Sequence, residues 1–195
     1  MAMFDRLKEQ ARALQQSQGA RTGGGQQHGQ GFPPGGGRQH GHGSSSGGGT
    51  KAQLMGLFKS QLASAKAELK SGAYRDASMA MCALVAAADG RVDPAERQRV
   101  EELIASNEVL QNFPADQLRK RFNEHVDRLT ANFELGKAKA LEDIAKAAKK
   151  PVEARAVVQT GLVVAGADGS FEPAEQYAVR DACSALGLSP TEFGV

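Results

Sequence analysis

The sequence predicts an all-α protein, a bundle of about seven helices, and three observations carry that prediction. Apolar residues recur at the three-to-four spacing of amphipathic helices along most of the chain after residue 50. Almost no stretch alternates with the period of two that a half-buried strand requires. A nine-residue pattern also occurs twice, as Ala88-Asp89-Gly90-Arg91-Val92-Asp93-Pro94-Ala95-Glu96 and as Ala167-Asp168-Gly169-Ser170-Phe171-Glu172-Pro173-Ala174-Glu175. Each copy follows an apolar run and precedes an amphipathic one, so the bundle reads as two pseudo-symmetric units of helix, acidic loop and helix.

Taken in order, residues 1–18 place Phe4, Leu7, Ala11 and Leu14 on one helical face with Arg6, Lys8 and Arg12 elsewhere. This short amphipathic helix is a candidate for peripheral membrane association, although so few large apolar groups hold a bilayer weakly. Residues 19–50 are almost entirely Gly, Gln, His, Ser, Pro and Arg. Such a segment cannot bury enough surface to offset its ordering entropy, and the expectation is a disordered, Gly-rich tether. The folded domain is then residues 51–195.

Within it, Leu54, Phe58, Leu62, Ala65 and Leu69 predict a helix over 51–71, stopped by Gly72. Residues 74–87 are apolar nearly all round, as are 153–166 in the second copy, and these two helices are expected to form the core. Helices over 94–106 and 173–186 follow the two loops, each opening on a proline, whose missing N–H has no partner at a first helical position. Between the copies, Leu118, Phe122, Val126 and Leu129 predict a helix over 114–131, and Leu141, Ile144 and Ala148 another over 135–149. Ser189-Pro190-Thr191-Glu192 signals a final capped turn. The two units pack together and the middle helices close the bundle.

Of 24 basic and 22 acidic residues, only five basic and two acidic precede residue 51, so the domain is close to neutral. It carries neither the basic stripe nor the interleaved aromatics of a nucleic-acid binder, and no nucleic-acid partner is expected. No run is long and apolar enough to span a bilayer, and a secretory leader is missing from the start, which together predict a cytoplasmic protein. Cys82 and Cys183 fall within apolar helical patterns and read as small buried hydrophobes. No nucleophile motif or phosphate-binding glycine loop is present, so an enzyme is not expected.

The acidic loops support two readings. In the structural one, Asp93 caps the following helix with Glu96 three residues on as a capping box, and Asp89 and Asp168 are turn formers before glycine. The second copy fits this less well, because Glu172 is a poorer cap than Asp. In the functional one, Asp89, Asp93 and Glu96, and again Asp168, Glu172 and Glu175, converge as hard oxygen donors suited to a divalent cation of the Ca²⁺ or Mg²⁺ class. If a local two-fold axis relates the copies, six carboxylates approach one another, and their repulsion favours a cation or a basic partner. The spacing is not that of an EF-hand, since the position of the bidentate Glu is taken by Val100 or Val179. Arg91, Arg97 and Arg99 surround the first loop, whereas no Lys or Arg falls between Arg155 and Arg180. The second loop is therefore the stronger candidate.

These loops resemble those of the tellurite-resistance TerB family. So do Asn132-Phe133-Glu134-Leu135-Gly136-Lys137-Ala138-Lys139-Ala140-Leu141 and the C-terminal Leu186-Gly187-Leu188-Ser189-Pro190-Thr191-Glu192-Phe193, and the resemblance covers about residues 52–195. It implies an all-helical cytoplasmic domain with an acidic, divalent-cation-binding surface, acting in tellurium and general stress resistance. It implies partners among other resistance proteins, such as a TerC-like membrane protein and TerD-like calcium-binding proteins, and so a location at the inner face of the membrane through a partner. The alternative is a pure protein-protein adaptor whose acidic loops only cap helices. His28, His40 and His42 form no defined metal site in a tether, and His125 is expected to be half-buried or at the surface.

Overall fold

A computed structural model of the chain describes residues 47–165 and 171–195. The expected helix over 1–18, the tether as far as residue 46 with its three histidines, and Asp168 lie outside the described residues. Those described form seven α-helices and no strand: α1 (Gly47–Ala65), α2 (Gly72–Ala86), α3 (Pro94–Ser106), α4 (Ala115–Ala131), α5 (Phe133–Ala145), α6 (Pro151–Ala165) and α7 (Pro173–Leu186). Short 3-10 turns follow α3, α5 and α7.

Local chemistry accounts for the boundaries. Ser71 accepts a hydrogen bond from Tyr74 N–H at 3.0 Å to start α2, and Asn132 accepts one from Leu135 N–H at 3.1 Å to start α5. Two expected helices are shorter than their periodicity suggested. Helix α1 begins at Gly47, within the stretch read as tether, and ends at Ala65 rather than at residue 71. The Asn112 side-chain amide holds the chain after it, donating to the carbonyls of Lys66 and Leu69 at 2.8 and 3.1 Å, and Leu69 reaches the core from that turn. Helix α5 stops at Ala145, and Lys146–Lys149 tighten into a 3-10 turn before Lys150 becomes extended. The residue before a proline is pushed out of the helical region, and Pro151 follows. The final turn, Pro190–Phe193, forms without the expected Ser189 cap, because the Ser189 hydroxyl pairs with that of Thr191 at 2.8 Å.

Helix α2 occupies the centre, with every residue from Ala77 to Val85 buried. It packs most extensively on α6, then on α4 and α5. The α2 and α6 backbones lie close, because a Cβ on Gly161 would stand 2.5 Å from Met81 Cγ. The Tyr74 hydroxyl bonds that of Thr160 at 2.8 Å across the same seam, and burial pushes the phenol up to about 12. Helix α5 folds back on α4 as closely, since a Cβ on Gly136 would meet the Leu129 backbone at 2.6 Å. The pairing of the two units is reciprocal: α3 touches α6, α7 touches α2, α4 leans on α3 and α5 on α7. Both cysteines are buried and free, with thiols pushed by burial up to about 12 at Cys82 and about 11 at Cys183, so neither is a nucleophile at neutral pH.

Candidate functional site

The first acidic loop leaves α2 through Gly90, whose φ of 85° requires glycine and whose N–H bonds the Ala87 carbonyl at 2.8 Å. Asp89 Oδ1 then accepts from Arg91 N–H at 3.0 Å. Asp93 takes the cap of α3, its Oδ1 accepting from Ala95 N–H at 2.8 Å and Glu96 N–H at 2.9 Å. Glu96 Oε2 accepts in return from Asp93 N–H at 3.0 Å, so the capping box expected from the sequence is complete.

These bonds engage one oxygen of each acid, Asp89 Oδ1, Asp93 Oδ1 and Glu96 Oε2. Partial burial holds the Glu96 carboxyl above its ordinary range. The Asp93 amide opposes that shift, while the charges of Asp93 and Asp89 add to it. The three acids therefore share one negative field. Among the described residues, however, no three carboxylate, histidine or cysteine side chains are assembled as a metal cage.

The second loop enters α7 with nearly the same backbone, Glu172 at φ −73° and ψ 156° against −75° and 162° at Asp93. Glu175 Oε2 accepts from Glu172 N–H at 2.7 Å, matching Glu96. Its setting differs, because Glu175 is buried at 6% exposure and Glu96 is half-exposed. With Asp168 outside the described residues, the described part of the second site consists of Glu172 and Glu175.

One cation beside each loop differs from what the local sequence suggests. Arg97 turns away from the first loop to α4, donating to the Asn123 side-chain oxygen, to its carbonyl at 3.1 Å and to Asp127 at 2.5 Å. Conversely, the second loop receives Lys51 from α1, whose Nζ lies 5.8 Å from the centroid of the Phe171 ring. Sequence reasoning missed Lys51 because nothing local in the chain links it to Phe171. His125 was also misplaced. It is 3% exposed, with Nε2 3.6 Å from Asp143 Oδ2 and no partner for Nδ1. Burial lowers its pKa against the pull of Asp143, and it is neutral near pH 7. Its place on the inward Phe122 to Leu129 face carried the signal.

No helix among the described residues is long and apolar enough to cross a membrane. Residues 75–195 match the family model described as Tellurite resistance protein TerB, more than half of the chain. Neither the curated proteins nor the solved structures yielded a match. The matched region begins at the first turn of α2 and takes in both acidic loops, so α1 lies outside it.

Proposed function

The chain belongs to the tellurite-resistance TerB family, and from that premise we propose a non-enzymatic, cytoplasmic stress-response module. Its paired acidic loops act as a cation-responsive negative surface that docks resistance-system partners, among them a TerC-like membrane protein and TerD-like calcium-binding proteins. The observation that carries the reading is the gathering of Asp89, Asp93 and Glu96 at the start of one helix, because carboxylates held together in one loop offer hard oxygen donors to a cation. Each acid of the first loop retains one oxygen outside the capping bonds, and these are the donors offered to Ca²⁺ or Mg²⁺. In the second loop the donors are Asp168, Glu172 and Glu175. Tellurite is an anion and is not drawn to such a surface, so the role in resistance is indirect.

A calorimetric titration with Ca²⁺, Mg²⁺ and Mn²⁺ tests this, comparing the wild type with Asp168→Asn combined with Glu175→Gln and with Asp89→Asn. The reading expects a weaker response in at least one variant. Identical responses in all three proteins refute it. A second reading, the adaptor with capping-only loops, is favoured by the complete capping box at Asp93 and Glu96. It expects no cation response and a partner interaction that survives in EDTA.

A further inference from the structure

A cavity of about 320 Å³ opens between α1, the end of α3 and the last turns of α6. Leu62, Leu103, Val109, Val163 and Val164 supply the apolar part of its lining, and the rest is polar. At a share of about 30 Å³ per water, it has room for roughly ten non-hydrogen atoms. That is the size of a small metabolite, at the lower end of ligand pockets.

Two opposite charges border the cavity from different elements, Lys59 on α1 and Glu108 on the segment after α3. Both are exposed, and among the described residues neither makes an ion pair or a side-chain hydrogen bond. Asn107 adds a polar group: its Oδ1 accepts from Val109 and Leu110 N–H at 3.1 and 3.3 Å, so its Nδ2 is the end left to donate. A pocket with an apolar side, bordered by one unpaired cation and one unpaired anion, complements a zwitterion with a short aliphatic side chain.

The geometry points to this cavity as a binding site for a free aliphatic α-amino acid of the leucine class. The side chain lies against Leu62, Leu103 and the valines, the carboxylate meets Lys59, and the ammonium meets Glu108. A fatty carboxylate leaves Glu108 without an ammonium to meet, and an alkylamine leaves Lys59 without a carboxylate, so only a zwitterion satisfies both charges. Val163 and Val164 belong to the last turn of α6, which runs directly into the second acidic loop. Occupancy therefore bears on that loop, but the site stands independently of any cation bound there.

Titration of the ¹⁵N-labelled full chain with L-leucine, followed through amide resonances, tests the assignment. Shifts are expected at Lys59, Leu103, Val109 and Val163. 4-Methylpentanoate, which lacks the ammonium, 3-methylbutylamine, which lacks the carboxylate, and glycine, which lacks the side chain, should each bind at least about tenfold more weakly. Lys59→Met and Glu108→Gln, exposed positions whose variants should keep the wild-type circular dichroism, should each weaken L-leucine by about tenfold. Ala63→Trp, which fills the cavity from α1, should abolish the shifts. The absence of shifts with L-leucine, equal binding of either single-charge analogue, or undiminished binding by Ala63→Trp overturns the proposal.

Discussion

The two copies of the acidic unit share a backbone and differ in burial. Asp93 and Glu172 hold the same cap conformation, and Glu96 and Glu175 reach back to the same amide. Yet Ile104 is the one residue of α3 that is fully buried, whereas α7 buries Glu175, Ala178, Val179, Ala182, Cys183 and Leu186. The neighbours explain this. Helix α7 lies against both α5 and α2, while α3 has slighter contacts with α4, α2 and α6 and borders the leucine-sized cavity. A repeated sequence thus dictates how a helix starts, and tertiary packing dictates what its acids are worth. The helix after the second loop is built into the core, and the helix after the first lies mostly at the surface.

The strongest way to break the pair is at the seam between them. Gly161→Val puts side-chain atoms where Met81 already stands and is expected to cost about 3 kcal/mol or more. Gly90→Ala, in the first loop, meets open space and suffers only from its positive φ, about 1 kcal/mol. Urea unfolding of both variants measures the contrast, and equal losses would remove the distinction between seam and loop.

Val100 and Val179 occupy the same position of the repeat, six residues after the proline, and give the next contrast. Val179 is fully buried and Val100 only partly. Val179→Ala should lose about 2 kcal/mol and Val100→Ala less than about 1 kcal/mol in the same assay. At the caps the order reverses. Asp93→Ala frees two amides and should cost about 1 kcal/mol, more than Glu172→Ala, whose longer side chain is the poorer cap.

Much of this was legible in the sequence. Seven helices, the burial of α2 and α6, the prolines at the first helical position and the Asp93 capping box all follow from spacings within a few residues. What was not legible depends on residues far apart in the chain. Arg97 looked like a counter-ion for the first loop because it is close in sequence, but the helix turns its side chain to Asn123 and Asp127 of α4. Lys51 could not be assigned to Phe171 without knowing where α1 lies. Whether His125 is covered depends on the return of α5, at a closeness set by Gly136.

His125 connects the two units, since it sits on α4, which leans on α3, and faces Asp143 of α5, which leans on α7. Arg128 and Lys139 oppose its protonation, while Asp143 and Glu124 favour it. With its folded pKa below 6.5, the unfolded chain binds the proton more readily, so the stability it contributes is full above pH 6.5 and is lost as pH falls through the depressed value. Melting temperatures measured from about pH 7 to about pH 5 should decline more steeply in the wild type than in His125→Gln. Parallel slopes would mean that the imidazole is as readily protonated in the fold as outside it.

The smallest effect bears most directly on the loops. Glu96 has its pKa raised by burial and by Asp93 and Asp89, so its ionised form is disfavoured in the fold and it subtracts stability at neutral pH. Glu96→Gln keeps an oxygen for Asp93 N–H and removes the charge. It should stabilise by a few tenths of a kcal/mol at most, after allowance for screening at a largely solvated site. The gain should vanish in acid, where Glu96 is protonated in both states. Added Ca²⁺ sharpens the measurement: if the first loop holds a cation, calcium should raise the melting temperature of the wild type more than that of Glu96→Gln and close the gap between them. A gap unaltered by calcium would assign the first loop to capping alone and leave the second as the place to look for a bound ion.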